Sequence, residues 1–227
     1  MKKILISALL ILGTTFSITS ADVGVKVGVS GLVGLYEADG TENENGEIAK
    51  TKDTNEMMIG LGSIFIEKDL SFLPGPFARL SIGYNNVPYE ITTGSKQKTQ
   101  FDKTTEAAEG FNEVNNTFKA KISNMNTVYA LFNVTDFLYL KAGVASMDIE
   151  TKEVLGTGSV YGNMSTDGLV FGVGIQQTMD NGIFFRAEGT QTEYDSASAT
   201  SSTNTDNKIT LDDVSGVAAT FSIGKAF

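Results

Sequence analysis

The sequence predicts an all-β chain: an eight-stranded antiparallel transmembrane β-barrel with short periplasmic turns and four long extracellular loops. Three observations carry this expectation. Apolar residues alternate with small or polar ones through eight segments, the connections between segments alternate short and long, and glycines gather on one face of the alternation.

The elements follow in chain order. Lys2 and Lys3, the apolar run Ile4 to Leu12 and the small-residue site Thr19-Ser20-Ala21 read as a secretory signal over residues 1–21. The barrel domain is then residues 22–227, beginning near Asp22. The first strand, Val25 to Tyr36, sets Val25, Val27, Val29, Val33 and Leu35 against Lys26, Gly28, Ser30, Gly34 and Tyr36. In the second, Met57 to Phe65, the residues Met57, Ile59, Leu61 and Phe65 oppose Met58, Gly60, Gly62 and Ile64. The third, Phe77 to Asn85, opposes Ala78, Leu80, Ile82 and Tyr84 to Arg79, Ser81, Gly83 and Asn85. The fourth and fifth carry the outward sets Val128, Ala130, Phe132, Val134 and Leu138, Leu140, Ala142, Val144. The sixth opposes Leu169, Phe171, Val173 and Ile175 to Gly172, Gly174 and Gln176, and the seventh opposes Ile183, Phe185 and Ala187 to Arg186, Glu188 and Thr190. The last sets Val217, Ala219, Phe221, Ile223 and Phe227 against Gly216, Thr220, Ser222 and Gly224.

Leu70 to Pro76, Thr135-Asp136 and Asp180-Asn181-Gly182 are compact turns, the last with the Asn-Gly pair that tolerates positive φ. Glu37 to Glu56, Asn86 to Lys121, Asp148 to Thr166 and Asp195 to Asp213 are long and polar. Strict alternation puts every long loop at one rim and both chain ends at the other, the periplasmic side. A soluble barrel would turn the same apolar face inward. The glycine-rich opposite face, including Gly60 and Gly62, decides for the membrane, because a narrow eight-stranded lumen takes small side chains. No segment reaches the roughly 18 apolar residues of a membrane-crossing helix.

The chain's end, Phe221-Ser222-Ile223-Gly224-Lys225-Ala226-Phe227, resembles the C-terminal strand of bacterial outer-membrane barrels, with Phe221, Ile223 and Phe227 in the places of the assembly signal. Lys225 departs from that pattern, which has a hydrophobic residue there. Val128 to Val144 and Ile183 to Tyr194 are similar to hairpins of the OmpA/OmpX-like and porin-family small barrels. The resemblance implies a Gram-negative outer-membrane location and recognition by the barrel-assembly machinery, and it brings no catalytic motif.

The chain has no His and no Cys, which removes the usual general base of serine-triad hydrolases, the usual zinc and copper ligands, disulfides and a cysteine lipid anchor. Asp212 and Asp213 are adjacent, so in a strand they point apart and make no catalytic pair. Asp39, Glu42, Glu44, Glu47 and Asp53 form an acidic loop without the spacing of a calcium hand. Formal charge is −10, and loss of Lys2 and Lys3 takes it to −12, which opposes nucleic-acid binding. No cofactor, no metal and no enzymatic activity are expected.

Two features invite closer reading. Ala107, Phe111, Val114 and Phe118 fall at helical spacing, which allows a short amphipathic helix over the barrel mouth, although Gly110 argues against a stable one. Lys26, Arg79, Lys141 and Arg186 lie at similar depth on the polar face, a basic ring low in the lumen with Glu188 as its acidic partner, bound to Arg186 or Lys141. The expected function is a non-catalytic, monomeric membrane anchor that displays acidic loops to lipopolysaccharide, other cells or an extracellular ligand. The alternative is a narrow passive channel, anion-preferring if the basic ring is in surplus.

Overall fold

The computed structural model describes residues 24–44, 47–48, 53–93, 96–102, 112–152, 154–155 and 158–227. The secretory signal and the site before Asp22 lie outside the described residues. Eight antiparallel strands form a closed ring: β1 (Val25–Glu44), β2 (Asp53–Asp69), β3 (Leu80–Asn86), β4 (Ala120–Asn133), β5 (Leu138–Thr151), β6 (Met164–Thr178), β7 (Ile183–Tyr194) and β8 (Lys208–Ala226). Each pairs with its sequence neighbours, and β8 returns to β1 in register from Lys26↔Ala226 to Asn43↔Lys208. Closure leaves the ring without a free edge, so its backbone groups are satisfied without water. Both ends of the ring meet at the short-turn rim, where Val25 and Phe227 exchange backbone hydrogen bonds of 3.2 and 2.8 Å.

Outside and inside are inverted relative to a water-soluble protein. Val29, Val33, Leu35, Val128, Leu140, Phe171, Val217 and Phe221 are exposed, whereas Glu67, Ser81, Arg186, Glu188 and Ser222 are buried. An apolar outer belt is what lipid demands, and in the lower barrel the charged side chains Glu67, Arg186 and Glu188 turn inward. Phe72, Phe77, Phe132 and Phe137, exposed around the short turns, add aromatic residues at that interface. No described helix is long and apolar enough to cross a membrane; the strands do it.

The glycines inside the ring have a specific use. Gly28↔Phe65, Gly83↔Tyr129, Gly174↔Tyr139, Phe184↔Gly224, Tyr36↔Gly216 and Gly168↔Tyr194 are direct cross-strand pairs. In each the ring lies over its glycine so closely that a Cβ would meet ring or backbone atoms at 2.2–2.8 Å. The rings fill the lumen by lying along its wall, which only a missing side chain permits.

Three expectations are corrected here. The long loops are partly strand: β1 and β2 rise well beyond the expected boundaries, and Glu44↔Glu47 closes a small hairpin on β1. The segment expected to hold a mouth helix is instead a strand over Asn112–Phe118, paired with Lys96–Asp102, so Val114 and Phe118 are extended; Ala107 and Phe111 lie outside the described residues. Its Asn, Thr and Val content is poor helix material, and an isolated short helix is marginal in water. Finally, β2 faces the other way. Ser63, Phe65 and Glu67 are buried inward, so Met57, Ile59 and Leu61 also face the lumen, while Gly60 and Gly62 face out. Pairing fixes this facing, because Leu61 sits opposite the inward Leu32 and Gly62 opposite the outward Gly31.

Candidate functional site: a bridged floor beneath an apolar vestibule

The lower lumen is closed by ion pairs, two of them between strands that are not neighbours. Glu67 comes from the last turn-ward residues of β2, where the alternation carries it inward two places after Phe65. It is 1% exposed, and Arg186 of β7, 4% exposed, donates to it from Nη1 at 2.6 Å and Nη2 at 2.8 Å. A planar guanidinium facing a carboxylate in this two-point fashion is the strong, orienting form of the contact. Tyr129 of β4 donates its hydroxyl to the same carboxylate at 2.7 Å, and Arg186 also donates to Gln176 at 2.7 Å. The rings of Phe65, Tyr139 and Phe184 lie 5.1–5.4 Å from the guanidinium, so its faces are covered as well as its edge.

Two further pairs complete the floor. Lys141 donates to Glu188 at 2.8 Å and sits 4.4 Å from the centre of the Tyr129 ring, while the Tyr139 hydroxyl donates to the second oxygen of Glu188 at 2.8 Å. Lys26 donates to Asp69 at 2.9 Å, and Ser81 donates to the same oxygen at 2.6 Å. Lys26, Lys141 and Arg186 therefore each hold a carboxylate, and the three pairs cancel in formal charge.

The sequence-based ring is thus brought together in part. Lys26, Lys141, Arg186 and Glu188 are in the floor, with Glu188 bound to Lys141. Arg79 is not: it ends a 3-10 turn over Gly75–Arg79 and is exposed, donating to the Val134 carbonyl at 3.0 Å. Pro74-Gly75-Pro76 forces that turn, because the prolines lack the N–H groups a strand would pair, so β3 begins only at Leu80. Glu67 and Asp69 were missed because the expected facing of the second strand turned Phe65, and every second residue after it, toward lipid; two acids on that side of the alternation are the signal that the facing is reversed.

Above the floor the lumen widens into a cavity of about 1030 Å³. Its walls include Leu32, Met57, Leu61, Met125, Met147 and Leu211, and Glu42 and Lys119 line its upper part. On one side Met147, Ile149, Leu155, Tyr161, Met164 and Val214 pack into a buried apolar cluster. Asp39 is buried at this level and Glu42 accepts the Tyr161 hydroxyl at 2.7 Å, so these acids are built into the wall. Among the described residues no cluster of acids suited to a metal ion occurs. Asp212 lies opposite Asp39 and Asp213 has φ 51° at a bulge, so the two do not act as a pair.

At the C-terminus Phe221 and Ile223 face outward, 59% and 43% exposed, and Phe227 closes the rim against Val25. Lys225 donates to the Asn181 carbonyl in the β6–β7 turn.

These features define a small transmembrane β-barrel. No protein-family profile matches the chain, and no curated protein matches its sequence. Among solved structures it is similar to Ail, the attachment invasion locus protein of Yersinia pestis, solved with the heparin analogue sucrose octasulfate (13% identity, 88% of this chain and 99% of that one, TM-score 0.36). It is also similar to the outer membrane protein OprG of Pseudomonas aeruginosa (11%, 93% and 100%, TM-score 0.48). The third is the outer membrane protease OmpT of Escherichia coli (10%, 94% and 100%, TM-score 0.38). Similarity at this level assigns no activity to the chain.

Proposed function

We propose that the protein is a non-conducting, non-catalytic surface protein whose barrel anchors its extracellular strands and loops in the outer membrane. The observation that carries this reading is the bridged floor. An ion crossing it would have to part Glu67 from Arg186, and breaking a buried pair from one side costs about 3–5 kcal/mol. The alternative, an anion-preferring channel, draws on surplus positive charge in the lumen, and the pairing of Lys26, Lys141 and Arg186 with three acids leaves that charge balanced. In this reading the partners are lipid and lipopolysaccharide around the belt, the assembly machinery at Phe221, Ile223 and Phe227, and an extracellular ligand at the rim, with the barrel working as a monomer.

Purified protein in a planar bilayer tests it. The expected result is no reproducible conductance steps from the native chain, and steps once Glu67→Ala and Arg186→Ala are combined. Regular steps from the native chain would refute the reading.

A further inference from the structure

Lipid requires apolar residues on the outside of a barrel and asks nothing of the inside. A water-filled lumen would carry polar side chains, yet above the floor the inward positions of β2, β4, β5 and β8 are mostly aliphatic or methionine, among them Met57, Leu61, Ile122, Met147, Ile149 and Leu211. Exposed to water these walls forfeit about 25 cal/mol for each Å² that a partner would otherwise cover.

Two irregularities in the backbone preserve the apolar lining. β4 and β8 each carry an extra residue, between Ser123 and Asn126 and beside Asp213, with Asn124 at φ 52° and Asp213 at φ 51°. Positive φ is uncommon outside glycine, and an inserted residue reverses the facing of everything beyond it. The reversal keeps Ile122 and Met125 together on the inner wall of β4, and Leu211 and Val214 together on that of β8.

The charge pattern narrows what such a cavity takes. The floor is neutral, so no spare cation awaits a carboxylate or sulfate. Above it Glu42, which accepts the Tyr161 hydroxyl, and Lys119 offset each other in formal charge, so the cavity offers no net charge to attract an ion. Methionine, the most adaptable apolar side chain, supplies Met57, Met125, Met147 and Met164, four of the seven in the chain. At about 1030 Å³ the space sits at the upper end of small-molecule sites, which run from roughly 300 to 1,000 Å³.

From these observations we propose that the vestibule is a binding site for an uncharged, largely apolar small molecule that enters from the extracellular side and rests on the ion-paired floor. The site is independent of whether the floor conducts. It holds its ligand through methionine and aliphatic contacts, and the threonine and serine hydroxyls of the middle wall, such as Ser63 and Thr220, offer weak hydrogen bonds to a neutral polar group.

Methionines also provide the test. The protein is labelled with 13C at the methionine methyls, placed in lipid nanodiscs and titrated with naphthalene. Met58 and Met179 are exposed on the outer face, 69% and 49%, and report partitioning into lipid. The expected result is saturable ring-current shifts at Met57, Met125, Met147 and Met164, over a linear drift alone at Met58 and Met179. Leu61→Trp, or Thr220→Trp should the first fail to fold, fills the cavity and should abolish the saturable component in a barrel that still migrates differently when unheated. Naphthalene-2-sulfonate should give no saturable shift. The proposal is overturned if all six methyls drift alike, if none shifts, if the filled variants bind as the native chain does, or if the sulfonate binds as well as naphthalene.

Discussion

Arg186→Met removes the centre of the floor and nothing else. Lost with it are the two charged hydrogen bonds to Glu67 at 2.6 and 2.8 Å, the one to Gln176 at 2.7 Å, and the contacts with three aromatic rings. Methionine roughly replaces the volume, so cavity formation adds little. The dominant effect is the Glu67 carboxylate, left 1% exposed with only Tyr129 donating to it. Stranding one member of a buried pair costs about 3–5 kcal/mol, which is roughly two to three and a half powers of ten in the unfolding equilibrium. Adding Glu67→Gln removes the stranded charge, so the double variant should be more stable than the sum of the two single losses implies, by about 1–3 kcal/mol. Urea unfolding in lipid vesicles, followed by the loss of fast migration in unheated gels, measures all four corners of the cycle. An Arg186→Met barrel within about 0.5 kcal/mol of native, or strictly additive losses, would refute the view that this pair closes the lumen.

Three more outcomes follow from the geometry. Phe221→Asp should reduce membrane insertion much more than Ser222→Asp, because Phe221 faces lipid while Ser222, 3% exposed, pairs inward with Arg186 in register; equal effects would reverse the facing of β8. Gly174→Ala places a methyl 2.2 Å from the Tyr139 hydroxyl and should destabilise by about 1–3 kcal/mol, whereas Gly31→Ala, with nothing within 4 Å, should be neutral or slightly stabilising in the same urea assay. At the outer rim Lys152 and Lys121 hold the Glu150 carboxyl below its ordinary 4.5, and Glu90 and Glu150 raise Lys121 above 10.5. The stabilisation from Glu150 is therefore present above pH 4.5 and lost as pH falls through its lower folded value, and that from Lys121 is present below 10.5 and lost as pH rises past its folded value. An NMR titration of Glu150 in Lys152→Ala should move its midpoint upward, and added salt should shrink the difference.

Strand number, the order of long and short connections and the facing of seven strands were legible because lipid imposes contrast: Leu140 and Lys141, or Phe185 and Arg186, cannot exchange places. Where lipid ends the contrast ends too, so the upward extensions of β1, β2, β4 and β5 looked like loops. β2 was misread because its inner wall faces an apolar cavity, and period-two counting cannot tell Leu61 against a vestibule from Leu140 against a lipid chain. The bulges at Asn124 and Asp213 are hidden for a related reason, since one inserted residue reverses the count without changing composition. Of the floor, the cations were found and their acids were not: Glu67 and Asp69 sit in a charged cluster whose meaning depends on Arg186, 119 residues away from Glu67.

That separation bears on how the barrel reaches its final state. The contacts of Glu188 with Lys141 and Tyr139, and of Glu67 with Tyr129, each step over one intervening strand past Gly172, Gly174 or Gly83, whereas Glu67 meets Arg186 only across the β8–β1 seam. A partly zipped sheet can form every neighbouring hairpin and still lack that one pair, because only closure brings β2 within reach of β7. Arg186 and Glu67 then stay apart until β8 meets β1, which makes closure of the seam a late and steep step in assembly. Once made, the pair resists reopening, since any separation of the seam must strand both of its charges. A barrel held in this way opens rarely and as a whole.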